Sequence, residues 1–319
     1  MQMMIRGLLG LVLGVLPGTA CLQAQPDTAS TGDDLMGQLD AMEPARANYT
    51  LATFKATRVM NGPSVETTRP GDLIFVVQHR FGPIDDGIDE LFGLDQANTR
   101  LGFQYGVAEG VGIGIGRSSF RDYVDGYAKA KLLRQQTGKR QIPVTVTGQA
   151  LVGLSTLDDP PEIDRGFADR LEFAYSLMIA RKFHQGFSFQ VAGHFLHRNV
   201  VETAEMPNDF WAVAPGLRVK LTDKITMNVD YHLVLDDVLR DRVEDALGVG
   251  FDIQTGGHVF QLVFTNSLGM SPAQVINRTN NEFFDGEIRF GFNLVRTFGV
   301  GRPRIGQWLG GKSAPDPEE

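Results

Sequence analysis

Residues 109–119 read EGVGIGIGRSS, with glycine at 110, 112, 114 and 116 and Val111, Ile113 and Ile115 between them. A phosphate cradle would need a strand, a G-x-G-x-x-G turn and a helix whose N-terminus faces the anion. Counted from Gly110, the third glycine falls on Ile115; counted from Gly112, it falls on Arg117. The residues that follow, SSFRDYVDGYAKAK, lack the period of an amphipathic helix. What remains is strict alternation, the period of a β-strand. One face carries branched apolar side chains and the other carries none, so the stretch asks what a bare strand face packs against.

Working outward, similar two-faced runs recur along the chain. They cover 72–81, 98–106, 109–118, 124–134, 142–156, 168–183, 186–198, 209–221, 224–234, 247–255, 257–266 and 286–298. That makes about twelve, most near the roughly 9–11 residues a tilted strand needs to cross a bilayer. The connections alternate as well. Those after even-numbered runs are mostly tight, such as HQ and TD, with QQTGKRQ somewhat longer. Those after odd-numbered runs are mostly long: 82–97, 157–167, 199–208, 235–246 and 267–285. All long loops then leave one side and both termini the other, the arrangement of a bacterial outer-membrane barrel. A soluble sandwich explains the alternation but has no reason to sort its loops. The expected fold is therefore all-β, a transmembrane antiparallel up-and-down barrel of about twelve strands.

Charge sorts with the loops. The long ones hold Asp85, Asp86, Asp89, Glu90, Asp95, Asp158, Asp159, Glu162, Asp236, Asp237, Asp241, Glu244 and Asp245; the short side holds Lys139, Arg140, Arg181, Lys182 and Lys224. The loop IDDGIDELFGLD departs from the calcium-loop pattern D-x-D-x-D-G and reads as a solvated acidic loop meeting the divalent cations of the outer leaflet. Aromatic residues gather near run ends, as two interfacial girdles require. Phe81, Phe120, Tyr123, Phe195, Trp211 and Tyr231 form one level, and Tyr105, Phe183, Phe187 and Phe298 the other.

The start of the chain has the anatomy of a secretory signal peptide. Residues 7–22 are apolar but short and interrupted by Gly and Pro, and Leu22–Ala24 offers a cleavage site. A lipidated Cys21 is the rival reading, although GTA ahead of it lacks Leu at the third position upstream. Cleavage after Ala24 removes the chain's one cysteine, which excludes disulfides, thiolate metal sites and cysteine nucleophiles. A formal charge of −8 argues against a nucleic-acid partner. The expected organisation is a signal peptide at 1–24, an N-terminal periplasmic segment or lumen plug at 25–70, the barrel at 71–298 and a disordered periplasmic tail at 299–319.

One face of the runs is apolar, including Leu101, Phe103, Ile113, Phe173, Phe189 and Phe292, and should meet lipid. The other face should line the lumen: Arg80, Arg100, Gln104, Gly112, Gly114, Gly116, Lys129, Lys131, Glu172, His194, Arg218, Asp230, His232 and Arg289. The glycine stripe then admits something bulky to the inner wall. Two occupants are open, Tyr127 from the next strand or residues 49–70 folded inward, an extended periplasmic lead-in being the plainer reading of the latter. The lumen charges are mostly basic, with Glu172 and Asp230 opposing them. They either form a weakly anion-favouring path or pair with one another in a filled barrel.

No catalytic constellation is visible. The six histidines, His79, His184, His194, His197, His232 and His258, read as isolated, and Ser118 and Ser119 sit in GRSSF rather than a G-x-S-x-G elbow. No cofactor, metal ligand set or enzyme activity is expected. Expected partners are outer-membrane lipid, the barrel-insertion machinery and a possible small solute.

Several phrases occur together in order: TFKATRVMNGPSVET, QHRFG, LFGLDQANTRLGFQYGV, GIGRSSF, DGYAKAKLLRQ, GHVFQLVFTNSLGM and FGFNLVRTF. Over roughly residues 50–298 the chain resembles a family of Gram-negative outer-membrane β-barrel proteins classed as a domain of unknown function. The resemblance implies fold and location and carries no catalytic residues. It leaves open a narrow solute channel, a structural or partner-binding barrel with a filled lumen and, least favoured, a barrel lipid hydrolase.

Overall fold

In the computed structural model, which describes residues 47–157, 165–201 and 203–301, the alternating runs are strands. β1 (Ala47–Tyr49) and β6 (Gln136–Gly138) form a separate two-stranded sheet. The wall consists of β2 (Asp72–Pro83), β3 (Ala97–Ala108), β4 (Val111–Ser118), β5 (Tyr123–Leu133), β7 (Thr145–Ser155) and β8 (Leu171–His184), continued by β9 (Phe187–Arg198), β10 (Asp209–Lys220), β11 (Ile225–Val234), β12 (Ala246–Thr255), β13 (His258–Thr265) and β14 (Arg289–Gly299). Each pairs antiparallel with the next, and β14 closes on β2 through partners such as Gly299 with Asp72. Closure removes the free edge, so every strand's backbone groups are paired within the wall, as hydrocarbon surroundings demand.

The connection QQTGKRQ, expected to be plain loop, contains β6. Ile142 turns back to bridge Gln136 of β6, and the next strand runs over Thr145–Ser155. The signal peptide, Cys21, the tail beyond 301 and the acidic residues Asp158, Asp159 and Glu162 lie outside the described residues.

Strand ends define two rims. The terminal rim carries the start of β2, the end of β14 and the short turns; the loop rim carries the long connections and one short one, residues 119–122. Parity is consistent around the wall. Leu101, Phe103, Ile113, Ile115, Tyr175, Leu177, Ile179 and Phe189 are exposed on the outside, while Phe173 and Phe292 are half-buried among outward neighbours. Phe292 stacks between His79 and Phe260 at 5.2 and 5.7 Å. At the terminal rim the Arg181 and Arg296 guanidiniums lie over the rings of Phe183 and Phe298. At the loop rim Phe195 packs on Trp211 at 5.0 Å. Tyr123 corrects the expected girdle: it shares the parity of Asp125 and Lys129, points inward and is fully buried.

Candidate functional site: the lumen

All the expected lumen residues lie on the inner face. Arg80, Arg100, Gln104, Lys129, Glu172, His194, Arg218, Asp230, His232 and Arg289 are buried, Gly112, Gly114 and Gly116 line the same face, and Lys131 is half-buried near the terminal rim. What they face is protein rather than a water-filled bore.

Residues 53–68 enter from the terminal rim as a hairpin. Its arms pair through Ser64 N donating to Thr57 O and an Arg58–Pro63 bridge, and its tip closes by Val59 N donating to Gly62 O, both hydrogen bonds being 3.0 Å. The tip docks on one carboxylate. Asp230 Oδ2 accepts from the backbone N–H groups of Met60, Asn61 and Gly62 at 3.2, 2.8 and 2.7 Å. Three consecutive N–H groups facing a buried anion satisfy both its charge and their own need for acceptors. Position 62 must be glycine, because a Cβ there would lie 2.5 Å from the His232 ring.

The arms bind the wall on several sides. Gln190 accepts from Val65 N and donates to Pro63 O, Thr147 donates to Val65 O, and Thr57 donates to Gln104. Lys129 donates to Thr57 O, Gln261 donates to Val59 O, and Lys131 pairs with Glu66 at 3.3 Å. Phe54, Val59 and Val65 pack against Met178, Ala180, Ala192 and Ala214 of the wall. For residues 53–68, therefore, the extended periplasmic lead-in is replaced by a hairpin inside the barrel. At its base β1, the cation–π contact of Arg134 with Tyr49 and the Lys182 bond to Leu51 O hold the entry point.

The loop rim is closed differently. Residues 266–279 fold inward, and every residue of their helix, Pro272–Asn277, is buried. Ser271 caps it by accepting from Gln274 N at 3.4 Å, with Pro272 in the first turn. Ala273 and Ile276 join Tyr123, Leu151, Leu196, Phe210, Val234 and Leu239 in an apolar core across this end of the lumen. Glu172 accepts from Asn277 at 3.2 Å and pairs with Arg278 at 3.5 Å. The hairpin and this inward loop meet: Arg58 donates to Met270 O at 2.6 Å.

The glycine stripe therefore has several occupants. A Cβ on Gly114 would lie 2.5 Å from the Tyr127 ring; one on Gly116 would strike the Arg100 guanidinium; Gly112 faces Thr68 of the hairpin's outgoing arm at 3.9 Å. Two small voids at mid-lumen, one beside Arg58 and Tyr127 and one beside His194 and Asp230, measure about 20 and 10 Å³. Each is the size of a single water. A larger cavity of about 460 Å³ opens at the terminal rim, lined by Lys55, Glu66, Arg69, Lys131, Arg134 and Gln254 among others.

Sequence reasoning missed several interior groups. Arg100 pairs with Asp125 rather than with Glu172 or Asp230. Asp125 shares the parity of Lys129, so the period-2 pattern contained that signal. The histidines are not all isolated: His194 and His232 lie 5.8 Å apart, with Ser176 Oγ 2.8 Å from His194 Nδ1. The inward loop was readable only in part, as the apolar run MSPAQVI within an otherwise polar connection. On the acidic loop rim, Asp285 raises the Glu282 carboxyl above its usual range by repulsion.

Comparison with known proteins places this architecture. The sequence model of a membrane-bound β-barrel domain of unknown function matches residues 54–298, a span that begins within the hairpin and ends in β14. No curated protein matches the chain in sequence. Among solved structures, the NanC porin is similar with 9% identity and a TM-score of 0.45, over 71% of this chain and 98% of its own. The KdgM porin is similar with 7% identity and a TM-score of 0.43, over 71% and 99%. The translocator domain of the autotransporter NalP from Neisseria meningitidis follows at 10% identity and 0.35, over 73% and 90%.

Proposed function

The chain belongs to this family of membrane-bound β-barrel domains, DUF5777, and from that premise we propose that it is an outer-membrane barrel closed at rest, a structural or partner-binding protein rather than an open diffusion pore or an enzyme. The single observation behind this reading is the double filling of the lumen. A hairpin fastened to Asp230 occupies the terminal half, a buried helix occupies the loop half, and the two small voids beside Tyr127 and His194 hold about one water each. In this reading both termini are periplasmic, the apolar outer wall meets lipid after delivery by the barrel-insertion machinery, and the acidic loops face outward. The decisive measurement is single-channel recording in planar bilayers. Wild type should show no steady conductance, a variant lacking residues 53–68 alone should still be closed by the loop-end core, and a variant lacking both 53–68 and the inward helix 272–277 should conduct. Steady open steps from wild type at low voltage would overturn the closed reading.

One observation favours a second reading, a narrow channel for small solutes that opens when the hairpin and the inward loop both leave. Much of the wall behind the hairpin is polar, beside its apolar part at Met178, Ala180, Ala192 and Ala214, where a permanent core would be apolar throughout. With both fillings displaced, Arg80, Arg100, Lys129, Lys131, Arg218 and Arg289 would line a path with a weak anion preference. Reversal potentials of the variant lacking both segments under a KCl gradient test that preference. A cation-selective result would remove it.

A further inference from the structure

Several buried donors of the lumen wall, such as Lys129, Thr147, Gln190 and Gln261, find acceptors in the hairpin. A group near the terminal rim does not. Arg218 on β10 is 3% exposed, and its Nε and Nη1 have no hydrogen-bond partner among the described residues. Its cross-strand neighbour Ser188 on β9 is fully buried, and its hydroxyl likewise has no partner. On the other side of Ser188, in direct register, stands Lys182 of β8. Lys220, two residues beyond Arg218 on the same face, and Lys55 of the hairpin complete the group: Lys55 and Lys182 each lie within electrostatic reach of both Arg218 and Lys220.

Four cations thus converge where the wall should be neutral or paired. The acids nearby are already engaged. Asp252 accepts from Gln261 at 2.7 Å and from Thr226 at 3.4 Å, and no ion pair joins it to Arg218. Glu66 accepts from Thr53 N and pairs with Lys131. Asp223, on the exposed turn, pairs with Lys220 at 2.5 Å. A buried guanidinium with idle donors is expensive unless something accepts from them. Arg80 also leaves Nε and Nη2 without partners, but it is sealed at mid-lumen. Arg218 differs in lying beside the open terminal rim, where its neighbours Lys182, Lys220 and Lys55 are only half-buried; the 460 Å³ cavity there touches the group at Lys55.

We propose that Arg218, Ser188, Lys182, Lys220 and Lys55 form a binding site for a small phosphate-class oxyanion at the terminal mouth of the lumen. Several oxygens are needed because the donors approach from three strands and the hairpin. A tetrahedral dianion meets a guanidinium, a hydroxyl and ammonium groups at once, which a halide or a single carboxylate does less well. The wall separates the site from the surrounding leaflet, so the anion is a free solute or a soluble phosphomonoester rather than a lipid headgroup. Bound there, it would link the hairpin's Lys55 to the wall. The site stands whether or not the lumen conducts.

The test is isothermal titration of the folded, detergent-solubilised full chain with inorganic phosphate, and separately with sn-glycerol 3-phosphate, acetate and chloride. Saturable one-site phosphate binding is expected, with acetate and chloride at least tenfold weaker; glycerol 3-phosphate distinguishes a monoester from the free ion. Arg218→Gln should weaken phosphate at least tenfold, Ser188→Ala and Lys55→Gln several-fold, and Arg296→Gln, on the outer wall, not at all. Should Arg218→Gln not fold, as judged by heat-modifiable gel migration, the Ser188 and Lys55 variants carry the test. Absence of saturable phosphate binding by wild type, or affinity unchanged in all three site variants, overturns the proposal.

Discussion

The two halves of the lumen are filled by different chemistry. At the loop end, a short helix brings Ala273 and Ile276 into an apolar core with Phe210, Leu196 and Leu239, much as in the interior of a soluble domain. At the terminal end, the hairpin 53–68 is held mainly by hydrogen bonds to polar wall residues, with Asp230 at its tip and Lys131 near its base. Apolar burial is non-directional and depends on packing density, so the loop-end seal cannot be loosened locally without leaving a cavity. Hydrogen bonds to a polar wall can be exchanged for hydrogen bonds to water at modest net cost. The comparison teaches that the loop end belongs to the stability of the barrel, whereas the hairpin is the separable part.

The largest effect should come from breaking the loop-end core. Phe210→Ala removes a ring that is 2% exposed from a packed cluster and should cost about 3–5 kcal/mol, read as a lower midpoint in urea unfolding. It should leave the hairpin seated. Asp230→Ala should do the reverse. It strips the acceptor from three backbone N–H groups and should weaken hairpin docking by about 2–5 kcal/mol, read as faster amide hydrogen exchange in residues 53–68 of a barrel that still migrates as folded. Faster hairpin exchange in the Phe210 variant beside unchanged exchange in the Asp230 variant would invert the comparison.

These halves also differ in how legible they were. The wall is a local pattern: period-2 alternation in Leu101–Tyr105 or Phe187–Val191 fixes which residues face out, and turn lengths sort the rims. The hairpin has strand-like alternation too, but what fastens it is distant in sequence. The Asp230 bond to Asn61 spans 169 residues and ends on a backbone N–H, which has no signature of its own. Asp230 has the inward parity of its strand, yet side-chain pairing rules point it toward cations rather than toward a turn. Arg58 and Glu66 could enter the charge account only once the hairpin was known to lie inside. Asp125 was within reach of the parity argument, as Tyr123 was.

The glycine stripe sharpens the comparison at mid-lumen, where both fillings meet the wall. Gly114→Leu should cost about 1–3 kcal/mol by overpacking against Tyr127. Tyr127→Ala in the same chain should recover most of that loss, whereas deleting residues 53–68 should not. Recovery by the deletion alone would mean that the hairpin, and not the neighbouring strand, fills the space over Gly114.

The smallest expected effect lies at the hairpin's base. Lys131 and Glu66 pair at 3.3 Å with side chains 14% and 20% exposed, so the pair is only partly shielded from water. Lys131→Met should cost about 0.2–1 kcal/mol, and the cost should shrink as salt rises. Glu66→Ala should cost more than its partner's removal, because Glu66 Oε1 also accepts from Thr53 N at 2.7 Å where the hairpin begins. A double-mutant cycle on urea midpoints separates the ion-pair part from that backbone bond. If the hairpin is anchored at its tip, Lys131→Met should leave hydrogen exchange in residues 53–68 slow while Asp230→Ala speeds it. Exchange in Lys131→Met as fast as in Asp230→Ala would move the anchor from the buried carboxylate to the rim.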